Sequence, residues 1–306
     1  MDPLSNVLSL IMTSDHCSMS LTLGGSWAFS FPERDGIYFS AILKGSCWLH
    51  VNGEQQPQQL LEGDCFLINH GKSFKLYTDT SKTVMNSDDH IRTFSSEEIR
   101  LNYGGDDTQL IGVRLGFSGA PSQLILSTLP SLVHMQGNEN QTLIMRWSLE
   151  RFSSELREKL PGRILISEYL VHIILAAVFR AHLATLDRLG IGWLYGLANR
   201  SICVSLRAIH ENPSRRWTVQ ELAQLAAMSR SAFALRFKQV IGLAPMEYLT
   251  YWRMLLASDR LRKSEDSIST IAYSLGYESE SAFSTAFKRV MSKSPRRYAR
   301  EHTVLS

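Results

Sequence analysis

The sequence predicts an α+β multidomain chain, with an N-terminal β-barrel carrying a helical layer and a C-terminal all-α domain built on a duplicated helix pair. Three observations carry this prediction. Short β-type runs punctuated by glycine turns fill residues 18 to 117, the hydrophobic period becomes helical after Pro121, and a block beginning at Ser231 recurs fifty positions later. With 306 residues, 44% hydrophobic and 20% charged, the chain can bury a full core and is long enough for about two domains.

At the N-terminus, Met1 to Met12 holds Asp2 where a secretory leader has Lys or Arg, and no small-residue cleavage site follows, so secretion is not expected. The runs Ser18–Leu23, Trp27–Phe31, Ile37–Leu43, Cys47–Val51, Cys65–Ile68, Phe74–Tyr77 and Leu110–Phe117 read as strands. Gly24-Gly25, Asp35-Gly36, Asn52-Gly53 and Glu62-Gly63-Asp64 supply turns between them, as hairpins need where φ is positive. Many short strands in series predict a barrel or sandwich. The polar interval Thr78 to Asp107, with two acidic pairs and few large apolar residues, reads mostly as a long loop or flap.

Leu143, Trp147, Leu149 and Phe152, then Leu165, Tyr169, Ile173, Ala176 and Ala177, follow helical spacing, so residues 122 to 188 form a helical layer on the barrel or a dimer seam. The longest apolar stretch, Ile164 to Phe179, is shorter than the ~20 residues that span a bilayer and contains Glu168 and His172, so no membrane association is expected. Gly190 to Asn199 reads as a connector. The expected division is 1–190 for the first domain and 198–303 for the second. Cys17, Cys47, Cys65 and Cys203 lack Cys-X-X-Cys spacing, which leaves reduced thiols in the cytoplasm as the expectation.

Formal charge is +3, but it is segregated: 15 basic and 20 acidic residues lie before residue 195, against 17 and 9 after it. A basic C-terminal domain suits a nucleic-acid partner, though a basic surface alone fits others. The repeat in this basic part is specific. Ser231-Ala232-Phe233, Phe237-Lys238, Val240, Pro245 and Tyr248 match Ser281-Ala282-Phe283, Phe287-Lys288, Val290, Pro295 and Tyr298. Upstream the offset becomes forty-nine, with Val219, Leu222 and Ala223 facing Ile268, Ile271 and Ala272, so the second turn has gained a residue.

Each copy predicts two helices around a short turn. In the first, Thr218 with Glu221 forms a capping box and Ser229 caps the second helix. Phe233, Phe237 and Val240 form the buried stripe, and Leu249, Trp252, Leu256 and Leu261 the core of a connecting helix from Pro245 to Leu261. In the second copy, Ser267 or Ser269 precedes Ile271, the turn falls at Gly276-Tyr277, and Phe283, Phe287 and Val290 are buried. Opposite the stripes stand Arg230, Ser231, Ala234, Leu235 and Lys238, then Glu280, Ser281, Ser284, Thr285 and Lys288. Small side chains flanked by cations suit a helix in the ~12 Å major groove, and two such helices could enter successive grooves about one turn, ~34 Å, apart. An isolated helix pair with an aromatic stripe is most often ordinary packing. Duplication, charge segregation and the capped turn together favour DNA reading.

At these residues the sequence resembles the AraC/XylS family of bacterial transcription regulators. The resemblance covers about residues 198–302 and rests on Trp217-Thr218, Ala227 to Phe233, Pro245 to Leu249, Trp252-Arg253-Met254, Gly276 to Phe283, Ser294-Pro295 and Tyr298. It implies two helix-turn-helix motifs, binding to double-stranded promoter DNA, and activation through contact with RNA polymerase. It places the ten exposed residues named above at the bases. Many relatives have Arg where Leu235 stands, so the first helix is expected to read partly by apolar contact, for example with thymine methyls. Phosphate-contact candidates are Arg215, Arg216, Arg253, Arg289, Lys293, Arg296 and Arg297, each against the plainer reading of a solvated cation.

The N-terminal half resembles cupin-type regulatory domains at Asp2 to Ser5, Gly24 to Trp27, Asp35-Gly36-Ile37, Gly45 to Leu49 and Glu62-Gly63-Asp64. Metal-binding cupins use a His-X-His pair with a Glu and a further His, whereas only His50 and His70 stand here, so no metal, no cofactor and no catalytic residues are expected. Trp27, Phe29, Phe31, Tyr38, Phe39, Trp48, Phe66 and Phe74 serve either as core or as the walls of an effector pocket, with Arg34 or His50 as polar anchor. The expected function is a sequence-specific transcription regulator, not an enzyme, modulated by a small molecule at its first domain and compatible with a homodimer. The alternatives are a cupin oxygenase or isomerase fused to a DNA reader, marked by stoichiometric metal, and an architectural protein whose barrel only dimerises. A redox role for Cys17, Cys47 or Cys65 competes with inert burial.

Overall fold

Alternating burial along the first half builds two β-sheets around one apolar core. The structure, a computed structural model, describes residues 2–95, 98–118, 126, 128–138, 140–186, 190–264 and 266–303. The chain folds as two units, one comprising Met12–Ser118 with Leu129–Thr185, the other Met1–Ile11, Gly119–Thr128 and Leu186–Ser306.

In the first unit the strands are β1 (Met12–Leu23), β2 (Ala28–Phe31), β3 (Ile37–Lys44), β4 (Ser46–Val51), β5 (Gln58–Leu61) and β6 (Cys65–Ile68). There follow β7 (Phe74–Tyr77), β8 (Met85–Asn86), β9 (Arg92–Ser95), β10 (Glu98–Tyr103), β11 (Thr108–Ser118) and β12 (Leu132–Met135). A seven-stranded sheet runs β12-β6-β3-β11-β1-β10-β9 and a five-stranded sheet β5-β4-β7-β2-β8. Trp27, Phe29, Phe31, Tyr38, Phe66 and Phe74 pack with Leu21, Leu49 and Leu101 between them. The sequence read Thr78 to Asp107 as a loop. The structure corrects this: β8, a 3-10 turn at Ser87–Asp89, β9 and β10 lie within it, and β10 runs parallel to β1 with Leu21 opposite Leu101.

Helix α2 (Asn140–Glu158) crosses the outer face of the larger sheet, and α3 (Arg163–Thr185) packs along α2. Phe39, Ala41, Leu67, Val113 and Leu115, alternate to the inner set and also buried, meet Met145, Leu149, Phe152 and Leu156 of α2 there. Helix α3 is 23 residues long and apolar enough to cross a bilayer by length and composition, yet half of that stretch is buried within the protein.

In the second unit, α1 (Pro3–Leu8) is capped by Asp2, which accepts from the Ser5 amide at 3.0 Å. It packs on α5 (Arg200–Glu211), with Val7, Leu8, Leu10 and Ile11 buried. The first eleven residues thus group with the C-terminal part, which the linear order of the sequence does not reveal. The other helices are α4 (Trp193–Ala198), α6 (Val219–Leu225), α7 (Arg230–Ile241), α8 (Pro245–Lys263), α9 (Ile268–Ser274), α10 (Glu280–Met291) and α11 (Pro295–Thr303). Helix α8 touches α7 on one side and α9, α10 and α11 on the other. Its Tyr248, Leu249 and Trp252 are buried with Phe233 and Phe237, while Met254, Ala257 and Leu261 enter the core of Ile271, Leu275, Phe283, Phe287 and Tyr298.

Candidate nucleic-acid interface

Two helix-turn-helix units of matching build stand at the two sides of α8. In the first, the Glu221 amide donates to Thr218 Oγ1 at 3.2 Å and the Thr218 amide to Glu221 Oε2 at 2.7 Å, a complete capping box that starts α6. That amide, with Arg215 at 2.8 Å, holds the exposed Glu221 carboxyl below the usual carboxylate range. The turn passes through Ala227 at φ 53°, and Ser229 starts α7 by accepting from the Ala232 amide at 3.3 Å. The second unit repeats this: Ser267 accepts from the Thr270 amide at 3.1 Å to begin α9, and Ser279 accepts from the Ala282 amide at 3.2 Å to begin α10. Of the two caps left open by the sequence, Ser267 is the one used.

The second turn needs its glycine. Gly276 has φ +81°, and a Cβ there would meet Ser214 O at 2.1 Å. This close approach joins the two units. Arg253 donates from Nε to Pro213 O at 2.7 Å and from Nη2 to Arg215 O at 3.0 Å, and lies 5.5 Å from the Tyr277 ring centroid. Arg216 pairs with Glu278 across the same junction. Arg253, read from sequence as a phosphate candidate, is half-buried and ties the two turns together.

Along α7 and α10 burial runs in the same register. Phe233 and Phe237 are fully buried, as are Phe283 and Phe287. On the opposite side Arg230, Ser231, Leu235 and Lys238 are exposed and Ala234 is half-buried. Ser281, Thr285 and Lys288 are exposed, and Glu280 and Ser284 half-buried. Among the described residues Arg230, Lys238 and Lys288 carry no ion-pair partner, whereas Glu280 lies 3.9 Å from Arg296. Thr285 is oriented by donating to Ser281 O at 3.0 Å. Leu235 is 62% exposed, an apolar side chain among polar neighbours. Of the phosphate candidates, Arg215 is engaged by Glu221 and lies 4.1 Å from the Trp217 ring centroid, and Arg297 donates to Glu301 at 3.0 Å.

Beneath this surface His210 is buried, its Nε2 2.7 Å from the Tyr248 hydroxyl and its ring stacked on Trp252 at 3.9 Å. Burial pushes its pKa down to about 3, so the ring is neutral.

In the barrel unit, the aromatic residues divide. Trp27, Phe29, Phe31, Tyr38, Phe66 and Phe74 are core, Phe39 faces α2, and Trp48 is partly exposed. His50 lies 3.2 Å from Glu54 O, and among the described residues no three His, Cys, Asp or Glu side chains converge. Burial raises the Cys47 and Cys65 thiols to about 12, which makes thiolate chemistry at either inaccessible near neutrality. A cavity of about 240 Å³ opens where β1, β3, β10 and β11 meet the 3-10 turn, with Arg34, Tyr38 and Arg114 in its wall. Sequence reasoning named Phe31, Tyr38 and Arg34 as pocket candidates and Cys17 only as a thiol, and did not name Ser87 or Arg114, because the convergence of these residues depends on strand pairing.

A barrel joined to two capped helix-turn-helix units, with matching exposed faces in a basic region, defines a DNA-binding transcription regulator. Residues 2–184 match the cupin family and residues 222–301 the helix-turn-helix domain family. An AraC-like transcription regulator of Streptomyces lividans is 39% identical over 305 residues, covering 99% of this chain and 100% of that one. The transcriptional regulator AlkR of Acinetobacter baylyi is 31% identical over 308 residues, covering 98% and 100%. The crystal structure of ToxT from Vibrio cholerae superposes with a TM-score of 0.37 at 13% identity, covering 94% of this chain and 98% of that one. The chain belongs to the AraC-like transcription regulators, and it is a regulator, not an enzyme.

Proposed function

We propose that this protein is a cytoplasmic activator of transcription that reads a bipartite promoter site with α7 and α10 and is modulated by a small molecule at the barrel. Arg230, Ser231, Ala234, Leu235 and Lys238 face one segment of the site, and Glu280, Ser281, Ser284, Thr285 and Lys288 the other. The observation that supports this most is the shared register of burial and exposure over residues 231–239 and 281–289, in helices locked together by Arg253 and the Gly276 turn. RNA polymerase is the partner through which activation operates.

Selection of duplexes from a random pool by the full-length protein, repeated with Lys238→Ala and Ser284→Ala, tests the reading. Two enriched segments about one helical turn, ~34 Å, apart, each altered by one substitution, are expected. Enrichment of one segment that both substitutions alter alike would overturn it.

The second copy of this chain is the partner proposed for α2 and α3. Leu143 and Trp147 are each 57% exposed, Leu165 56% and Tyr169 62%, large apolar side chains left uncovered on two helices that pack along each other. Sedimentation of the full chain is expected to give a dimer that Tyr169→Glu converts to a monomer. A monomeric wild type at tens of micromolar would refute this interface.

A further inference from the structure

We infer that two carboxylates at the N-terminal end of α10 hold the second helix-turn-helix unit off indiscriminate DNA: Glu278 by engaging Arg216, and Glu280 by repelling phosphate unless a cytosine amino group meets it. Glu280 is thereby a specificity-determining residue, and Glu278 sets the affinity against which it acts. This rests on the reading that α7 and α10 enter the major groove, and it assigns the two helices different work.

The two units match in build but not in charge. From Ala226 to Ile241 the first turn and helix hold Arg230, Arg236 and Lys238 and no acidic residue. From Leu275 to Met291 the second turn and helix hold Lys288 and Arg289 against Glu278 and Glu280. The difference is concentrated at one end. Met228 and Arg230 flank the cap Ser229, whereas Glu278 and Glu280 flank the matching cap Ser279. The N-terminal residues of a recognition helix contact base edges, and a helix N-terminus attracts phosphate through its unpaired N–H groups. Arg230 reinforces that attraction in α7, and two carboxylates cancel it in α10.

Both carboxylates meet their arginines at the surface. Glu278 and Arg216 are paired with side chains 74% and 75% exposed, and Glu280 lies 3.9 Å from Arg296, which is 79% exposed. Exposed pairs of this kind contribute little to stability and open readily, so either arginine can turn to phosphate once its carboxylate is gone. On the right sequence the repulsion at Glu280 is offset. An ionised Glu only accepts hydrogen bonds, and its partner in the major groove is the N4 amino group of cytosine. Guanine and thymine edges offer it only acceptors, and adenine sets N7 beside its one amino group.

Fluorescence anisotropy of the full-length protein at several salt concentrations tests this, with a random-sequence duplex and with the duplex the wild type selects from a random pool. The variants are Glu278→Gln and Glu280→Gln, with Glu54→Gln, an exposed position on the barrel, as an equal change of net charge. One gained phosphate contact steepens log K against log salt by about 0.9, which between 1 M and 0.1 M salt is about eightfold. Each of the first two variants should therefore bind the random duplex about eightfold tighter at 0.1 M salt, with the melting temperature nearly unchanged. Glu278→Gln should tighten the selected duplex to a similar extent. Glu280→Gln should not, and its preference in the α10 segment should move from cytosine toward adenine, the base that Gln pairs with. Glu54→Gln should match the wild type on both duplexes. If Glu280→Gln tightens both duplexes alike or neither, or if Glu54→Gln tightens binding as much, the role of these carboxylates is overturned. A wild type that prefers no duplex would instead overturn the reading that α7 and α10 recognise DNA.

Discussion

Substituting deoxyuridine for thymine, one position at a time, in the segment read by α7 removes a single methyl group and so isolates what Leu235 does. Leu235 is 62% exposed and stands where Arg230, Ser231 and Lys238 offer only polar contacts, so a groove-bound α7 presents it to the base edges. Thymine alone carries an apolar group in the major groove. Burying one methyl is worth about 0.8 kcal/mol, and with RT near 0.59 kcal/mol this is roughly a fourfold change in Kd. One deoxyuridine position should therefore weaken wild-type binding about fourfold by fluorescence anisotropy. Leu235→Ala should bind thymine and deoxyuridine duplexes within a factor of ~1.5 of each other, having lost the surface that senses the methyl. Leu235→Arg should shift preference at the same position toward guanine, whose O6 and N7 accept a bidentate guanidinium. If no position responds to deoxyuridine, or if Leu235→Ala weakens all duplexes alike, Leu235 does not read thymine.

Lys288→Ala should weaken binding to the selected site and to unrelated DNA alike if Lys288 meets phosphate, and should lower the slope of log K against log salt by about 0.9, read from anisotropy at several salt concentrations. Gly276→Ala places a Cβ against Ser214 O at φ +81°, so the bipartite site should be lost before either half-site, and the melting temperature should fall. His210 has its pKa lowered to about 3 from 6.5, so the unfolded chain takes up the proton first as pH falls below ~6.5. Stability is thus complete above that pH and declines toward pH 3, by ~2 kcal/mol between pH 7 and 5. Urea midpoints should show this decline in wild type and a smaller one in His210→Gln, and parallel declines in both would assign the pH dependence elsewhere.

The helix-turn-helix units were legible because their information is local and written twice. Cap, turn and aromatic stripe fall within about twenty-five residues, and Phe233, Phe237, Phe283 and Phe287 are all fully buried as their spacing implies. Phe74–Tyr77, which alternates, and Cys65–Ile68, a short continuous apolar run, were equally plain as strands. Helix α3 was legible as a helix but not in its orientation. Leu165, Tyr169 and Ile173 follow helical spacing yet are exposed, while Leu170, Ile174 and Val178 are buried. A helix apolar on every side gives no period by which to choose its inner face.

The cavity was illegible for a stronger reason. Ser87, Asp88, Ile91 and Ile99 all lie in the interval from Thr78 to Asp107 that pattern reading left as a loop, because β10 alternates only through Ile99, Leu101 and Tyr103. What makes it a strand is its parallel pairing with β1, a contact about eighty residues away in sequence. That pairing brings Ile99 beside Met19, while pairing of β1 with β11 sets Cys17 opposite Arg114. A DNA-reading helix can be recognised from a dozen consecutive residues because a groove meets one helix face. A cavity in a barrel takes its walls from strands whose register is set by the whole sheet, so it has to be read from the fold.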